Sequence, residues 1–335
     1  MKNFKIVTLL CMVSIIGCKK QEEKKITDSP ITENVQVEEP VLNKTYAEIS
    51  IKEGGKWVDR KYEGGNFKNV ESLKVPQNHT DHSYFIRYEG PGWESNKVGY
   101  RLYLDWRNAI DIFGKTTDSM ILSKVGLDGF DSYHEKSDWG MDILKAGKSL
   151  GIGSVGRLYD GKVLHFNEVD STSANIENTP EKSSVIINYN GWKTGDKKIN
   201  LKSILSIKPD KRYTKYSLQA SDSISGICTG IVKFEGIELI KKESENKNWG
   251  YLATYGQQTL VPDNLGMAIF YNLQTVDSIV DSEFDHLIVF KSTKEQISYY
   301  FLGAWEQEKD GIKTKEAFFN YLDEKLKELN DNNKL

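Results

Sequence analysis

Between Gly129 and Gly156 the 335-residue chain gathers Asp131, Tyr133, His134, Glu135, Asp138, Trp139, Asp142 and Lys145. No other stretch has as many side chains able to move a proton near neutral pH. An imidazole titrates close to neutrality, a phenol can donate, and a lysine can offset a developing negative charge. A polar loop whose charges pair with one another has the same composition, and for any one residue that plainer account is the default.

A second dense stretch runs from Gly90 to Arg107 and contains Trp93, Tyr103 and Trp106. Period-two alternation there aims Arg101, Tyr103, Asp105 and Arg107 at one face. Two guanidiniums on one face can clamp a ligand carboxylate or sulfate in bidentate fashion. A solvated face of Arg–Asp pairs is the alternative.

Two other patterns carry less. His79-Thr80-Asp81-His82 places its histidines three apart, which on a strand sends them to opposite faces, so solvated loop histidines are expected and no metal is assigned. Gly151-Ile152-Gly153-Ser154-Val155-Gly156 spells the dinucleotide fingerprint, but that fingerprint needs a helix after it. Arg157 to Leu164 reads instead as a hairpin, so nicotinamide and flavin are excluded and no cofactor is expected.

The elements that must position these groups are strands. Ser83–Tyr88, Lys97–Asp105, Val185–Asn190, Ile231–Phe234, Leu287–Phe290 and Ile297–Leu302 alternate, and Asp160-Gly161 and Asn190-Gly191 read as turns. Helical periodicity appears only late, where Phe318, Leu322, Leu326 and Leu329 form a stripe over about Lys315–Asn330. The expected fold is mainly β, a large antiparallel β-sandwich with a C-terminal α-helix.

The N-terminus reads as a lipoprotein signal, residues 1–17: basic Lys2 and Lys5, an apolar run from Ile6 to Ile16, then Gly17-Cys18. That run is shorter than the roughly 20 residues a spanning helix needs. Cys18 is the expected lipidation site, with acyl chains giving firm anchoring. Residues 18–45 then form a tether too polar to bury a core, and 46–335 form the β-sandwich domain with its C-terminal helix. The expected location is the cell envelope, lipid-anchored to the outer membrane. With Cys11 removed and Cys18 acylated, Cys228 has no disulfide partner and reads as a small buried residue. Against 48 acidic residues stand 45 basic ones, and losing Lys2 and Lys5 leaves a mature charge of about −5. No basic stripe points to nucleic acid.

The run Trp93 to Arg101, the step Tyr133-His134-Glu135, Asp142-x-x-Lys145-x-Gly147 leading into Leu150-Gly151-x-Gly153, and the late Tyr300 to Trp305 resemble a lipoprotein family named only as a domain of unknown function. That family is encoded in polysaccharide-utilisation loci beside glycan lyases, and it includes an oligosaccharide dehydratase of ulvan degradation. The resemblance spans about His82 to Trp305. It implies elimination of water from a terminal uronic acid of an acidic oligosaccharide, leaving a 4,5-double bond. For that chemistry Arg101, Arg107 or Lys145 would neutralise the substrate carboxylate. His134 or His82 would take the C5 proton, and Tyr133 or Tyr103 would protonate the leaving oxygen. Trp93, Tyr103, Arg107, Trp139 and His82 would contact substrate. A non-catalytic glycan-binding lipoprotein and a glycoside hydrolase using Asp138 and Asp142 are the alternatives.

Overall fold

Residues 43–127 and 132–335 are described in a computed structural model of the chain. The signal, Cys18, most of the tether, Gly129 and Asp131 lie outside the described residues. Leu42–Leu335 forms one compact unit.

The chain is mainly β, built of antiparallel sheets with, among the described residues, a single α-helix at the C-terminal end. A nine-stranded sheet has Ile297–Trp305 near its centre, flanked by Asn264–Asn272 and Tyr213–Ala220. Asn264–Asn272 and Ile297–Trp305 are apolar at most positions because both faces are covered. Tyr299, Phe301 and Trp305 point into the main core with Leu265, Met267 and Ile269. Tyr300, Leu302 and Ala304 point the other way, onto the helix Lys315–Asn332, and meet Phe318, Leu322, Leu326 and Leu329. Burying those four helix side chains contributes up to about 6–12 kcal/mol. Thr314 caps the helix start by accepting from the Ala317 N–H, and left-handed Asn333 ends it.

Two five-stranded sheets cover the other face of the large sheet. One contains Thr45–Glu48, Gly92–Ser95, Val98–Leu102, Ile110–Lys115 and Gly140–Asp142 in that spatial order. It is tied to the large sheet by Trp93 Nε1, which donates to Thr214 Oγ1 at 2.8 Å, and by the Tyr100 hydroxyl, which donates to the Arg212 carbonyl. The other sheet includes Ile152–Tyr159, Ile227–Val232 and Asp285–Phe290. Buried Cys228 sits in it, its thiol pushed up to about 12 by burial.

The glycine-rich run opens the strand Ile152–Tyr159, which turns back into Lys162–Leu164 as the expected hairpin. A Cβ at Gly153 (φ 72°) would lie 2.4 Å from the Phe301 ring, so close sheet packing explains that glycine. Asp160-Gly161 is the expected turn, both residues having positive φ. Asn190-Gly191 is instead a bulge inside the continuous strand Ser183–Thr194, and the chain reverses at Gly195-Asp196.

Ser83–Tyr88 does not form the expected strand. His82, Tyr84, Tyr88 and Glu89 all have positive φ, and the segment ends in a 3-10 turn. Tertiary anchors override the alternation. Arg87 pairs with buried Glu48, and the Tyr88 hydroxyl donates to the same carboxylate at 2.6 Å. Four non-glycine residues in this region within eight positions are costly, and such strain concentrates at functional sites.

Candidate active site

Arg101 stands directly across from Asp111 on the paired strands Val98–Leu102 and Ile110–Lys115, and Asp142 stands across from Phe113. Side-chain alternation therefore puts Arg101, Asp111, Phe113 and Asp142 on one face. Opposite Phe113 is Gly99, where a Cβ would come within 3.1 Å of the Phe113 Cβ, so the missing side chain makes room for the ring. Phe113 is the floor of the cluster, in edge contact with Tyr88, Tyr133 and Trp139.

Arg101 is 1% exposed and organises what lies above that floor. One amino group donates to Asp142 Oδ2 at 2.6 Å, Asp111 Oδ2 at 2.9 Å and the Tyr103 hydroxyl at 2.8 Å. The other donates to the Tyr133 hydroxyl at 2.9 Å. The 3-10 turn Ser132–His134 brings His134 against the same group. Its Nε2 lies 3.4 Å from Asp142 Oδ2, and its ring lies 4.5 Å from that of Tyr133. Arg101 and His134, 33 positions apart in sequence, thus meet through one carboxylate.

Arg107 extends the network towards the surface. Its guanidinium lies 3.8 Å over the Tyr103 ring, is held by Asp105, and reaches Glu89 at 3.0 Å. Glu89 also accepts the His82 N–H at 2.7 Å. Four buried carboxylates (Glu89, Asp105, Asp111 and Asp142) therefore share two arginines. Asp142 shows the consequence: burial, with Asp111 nearby, raises its carboxyl to about 8 despite Arg101. Burial likewise raises the Tyr133 phenol to about 12 although Arg101 pulls it down, so it holds its proton at neutral pH.

The expected site residues divide. Arg101, Tyr103, Tyr133, His134 and Arg107 converge, with Trp139 half-buried at the edge on Phe113. His82 is exposed beside Asp81 and Glu89. Three assignments need correction. Trp93 is fully buried, stacked on Tyr100 and bonded to Thr214, which leaves no face for a sugar. Arg101 is too enclosed to grip a ligand carboxylate and serves as an internal organiser. Lys145 is exposed and, among the described residues, makes no ion pair with the cluster. Asp138 is also exposed while Asp142 is enclosed, so they do not face each other across a shared cleft. Among the described residues no three His, Cys, Asp or Glu side chains gather as ligands of one metal ion. None of the described helices is long and apolar enough to cross a membrane.

Two neighbours of the cluster have no site role in the sequence reading, and one of them, His79, is not the solvated loop histidine expected there. His79 is largely buried, its Nδ1 2.8 Å from Ser83 Oγ, and burial lowers its pKa. Trp106, beside Asp105, stays 36% exposed. The exposed tryptophan next to Arg107 was the available signal.

The family described as "Domain of unknown function (DUF4861)" matches residues 13–334. No curated protein matches the sequence. Among solved structures, the crystal structure of 4-alpha-glucanotransferase from Thermococcus litoralis is similar at 7% identity and a TM-score of 0.30, over 70% of this chain and 39% of that one. That likeness is too slight to bear on chemistry.

Proposed function

The chain belongs to the DUF4861 family, and on that premise we propose that it is a carbon–oxygen lyase. The reaction is dehydration of a saturated uronic acid at the end of an ulvan-type acidic oligosaccharide, giving a 4,5-unsaturated sugar. The observation that carries this reading is one connected cluster: His134 Nε2 lies 3.4 Å from Asp142 Oδ2, and Arg101 donates to both Asp142 and the Tyr133 hydroxyl.

The C5 proton of a uronate is hard to remove while its carboxylate is charged, so a cation or strong donors must face that group. Arg107, fixed by Asp105 and Glu89 yet reaching the surface, fits this role better than enclosed Arg101. His134, a third exposed, takes the C5 proton, and the electron pair forms the C4–C5 double bond. As the C4–O bond breaks, protonated Tyr133 gives its proton to the leaving hydroxyl and water departs. A carboxyl oxygen of Asp142 faces the imidazolium, whose extra proton then passes to the Tyr133 phenolate beside it, so that both groups are restored. Export through the signal and anchoring through acylated Cys18 would hold this chemistry at the envelope, where polysaccharide fragments arrive.

The changes H134Q and Y133F test the reading against an oligosaccharide with a saturated terminal uronic acid. Each lowers the rate of new short-ultraviolet absorbance by about 100-fold or more, the scale of a lost acid or base. Full turnover in both variants would refute the assignment. Enclosure of Arg101 favours a second reading, a lipoprotein that only captures glycans. That version binds the oligosaccharide and leaves its mass unchanged.

A further inference from the structure

A cavity of about 660 Å³ opens beside the cluster, with Asp105, Trp106 and His79 in its wall. We infer that this cavity is the subsite for the part of the oligosaccharide beyond the reacting uronate, with Trp106 as the platform on which a sugar ring lies. The inference rests on the proposed lyase reading and adds where the rest of the substrate goes.

Its volume falls within the range of about 300–1,000 Å³ common for small-molecule sites. Trp106 is among the few large apolar side chains left exposed, and leaving an indole in water forfeits its burial energy. The residue is also fixed: its carbonyl accepts the Phe166 N–H at 3.0 Å, and its ring meets the His165 ring edge-on at 6.0 Å. His165 in turn bonds the Arg107 carbonyl through Nδ1 at 2.8 Å. A rigid exposed indole surrounded by hydrogen-bonding groups suits a ring with an apolar C–H face and a polar rim.

The rim here is supplied by Gln77, Asn167, Asp170 and Thr172. Charge narrows the ligand class further. Lys74 is exposed, and Asp105 is already engaged by Arg107 through both oxygens. With no buried cation among its described lining residues, the cavity selects hydroxyl-rich sugar in place of a compact anion.

Connection to the reacting groups is short. Asp105 forms part of the cavity wall and holds Arg107, whose guanidinium covers Tyr103 and reaches Glu89. The segment 76–89, strained from His82 to Glu89, serves both sides. Pro76, His79 and Thr80 line this cavity, while Tyr84 and Glu89 line another of about 500 Å³ that includes Gly126. A Cβ on Gly126 would come within 3.3 Å of the Tyr133 ring, so one wall residue of that second space packs against the proposed acid.

The test compares a methyl uronoside with a tetrasaccharide ending in the same saturated uronic acid, using wild type, W106A and W106F. W106A lowers kcat/KM for the tetrasaccharide about tenfold more than for the methyl uronoside, and W106F recovers most of that loss. An equal loss for both substrates, or no loss, overturns the subsite. Tetrasaccharide affinity measured by calorimetry separates this from the lyase reading. If no substrate is turned over but wild type binds the tetrasaccharide about tenfold more tightly than W106A, the subsite stands and the lyase reading falls. If the two bind alike, the subsite is overturned.

Discussion

Replacing Asp142 with asparagine keeps the shape of the cluster while removing its titration. In the folded chain, burial raises this carboxyl to about 8, against about 3.9 for an unfolded aspartate. Between those values the folded chain keeps a proton that the unfolded chain releases. Stability from this group is therefore fully present below about pH 4 and is lost as pH rises to about 8, at about 1.4 kcal/mol per pH unit. Integrated over the window, the loss is about 4–6 kcal/mol. An asparagine, neutral throughout like the protonated acid, avoids it, and its amide oxygen still accepts from Arg101. For a domain of this size the difference corresponds to roughly 8–20 °C in melting temperature. Thermal unfolding of both proteins from about pH 5 to about pH 9 reads this directly. Wild type loses stability relative to D142N as pH rises from about 5, and the gap in favour of D142N stops widening above about pH 8. Asp285, raised to about 7 by burial, behaves alike in both proteins and cancels in the comparison. Parallel curves across the whole range would refute the claim that Asp142 is held neutral. D142N should at the same time lose most turnover, because His134 loses its proton-sharing partner.

Removing the organiser has the opposite effect on stability. R101M leaves Asp111 and Asp142 buried without their cation and costs about 3–5 kcal/mol, roughly 6–20 °C in melting temperature by calorimetry. K145A changes turnover by less than about threefold, since Lys145 is exposed and outside the hydrogen-bonded cluster; a loss comparable to that of H134Q would bring it back into the site. G153A destabilises by about 2–4 kcal/mol in denaturant unfolding, because the new methyl meets the Phe301 ring and the backbone is left-handed.

Much of this architecture was legible in the residues. The stripe Phe318, Leu322, Leu326 and Leu329 defined the helix to within two residues, since only one of its faces is covered. Strand alternation placed Arg101 and Tyr103 on one side, as found. What alternation could not say is whether that side meets water. The cover over Arg101 comes from Tyr133 and His134, more than thirty residues away, and nothing local encodes the encounter. Trp93 was misjudged for the same reason, since its partner Thr214 lies 121 positions on. Ser83–Tyr88 shows a further limit. Its pattern is that of a strand, yet the pull of Arg87 and Tyr88 onto Glu48 bends the backbone out of the extended region.

Mass spectrometry of an acidic oligosaccharide with a saturated uronic acid at its non-reducing end, incubated with the purified chain, addresses the central claim most directly. The proposed reaction predicts a product lighter by one water, with the number of sugars unchanged. Shorter saccharides, or an oligosaccharide recovered at its starting mass, would contradict it.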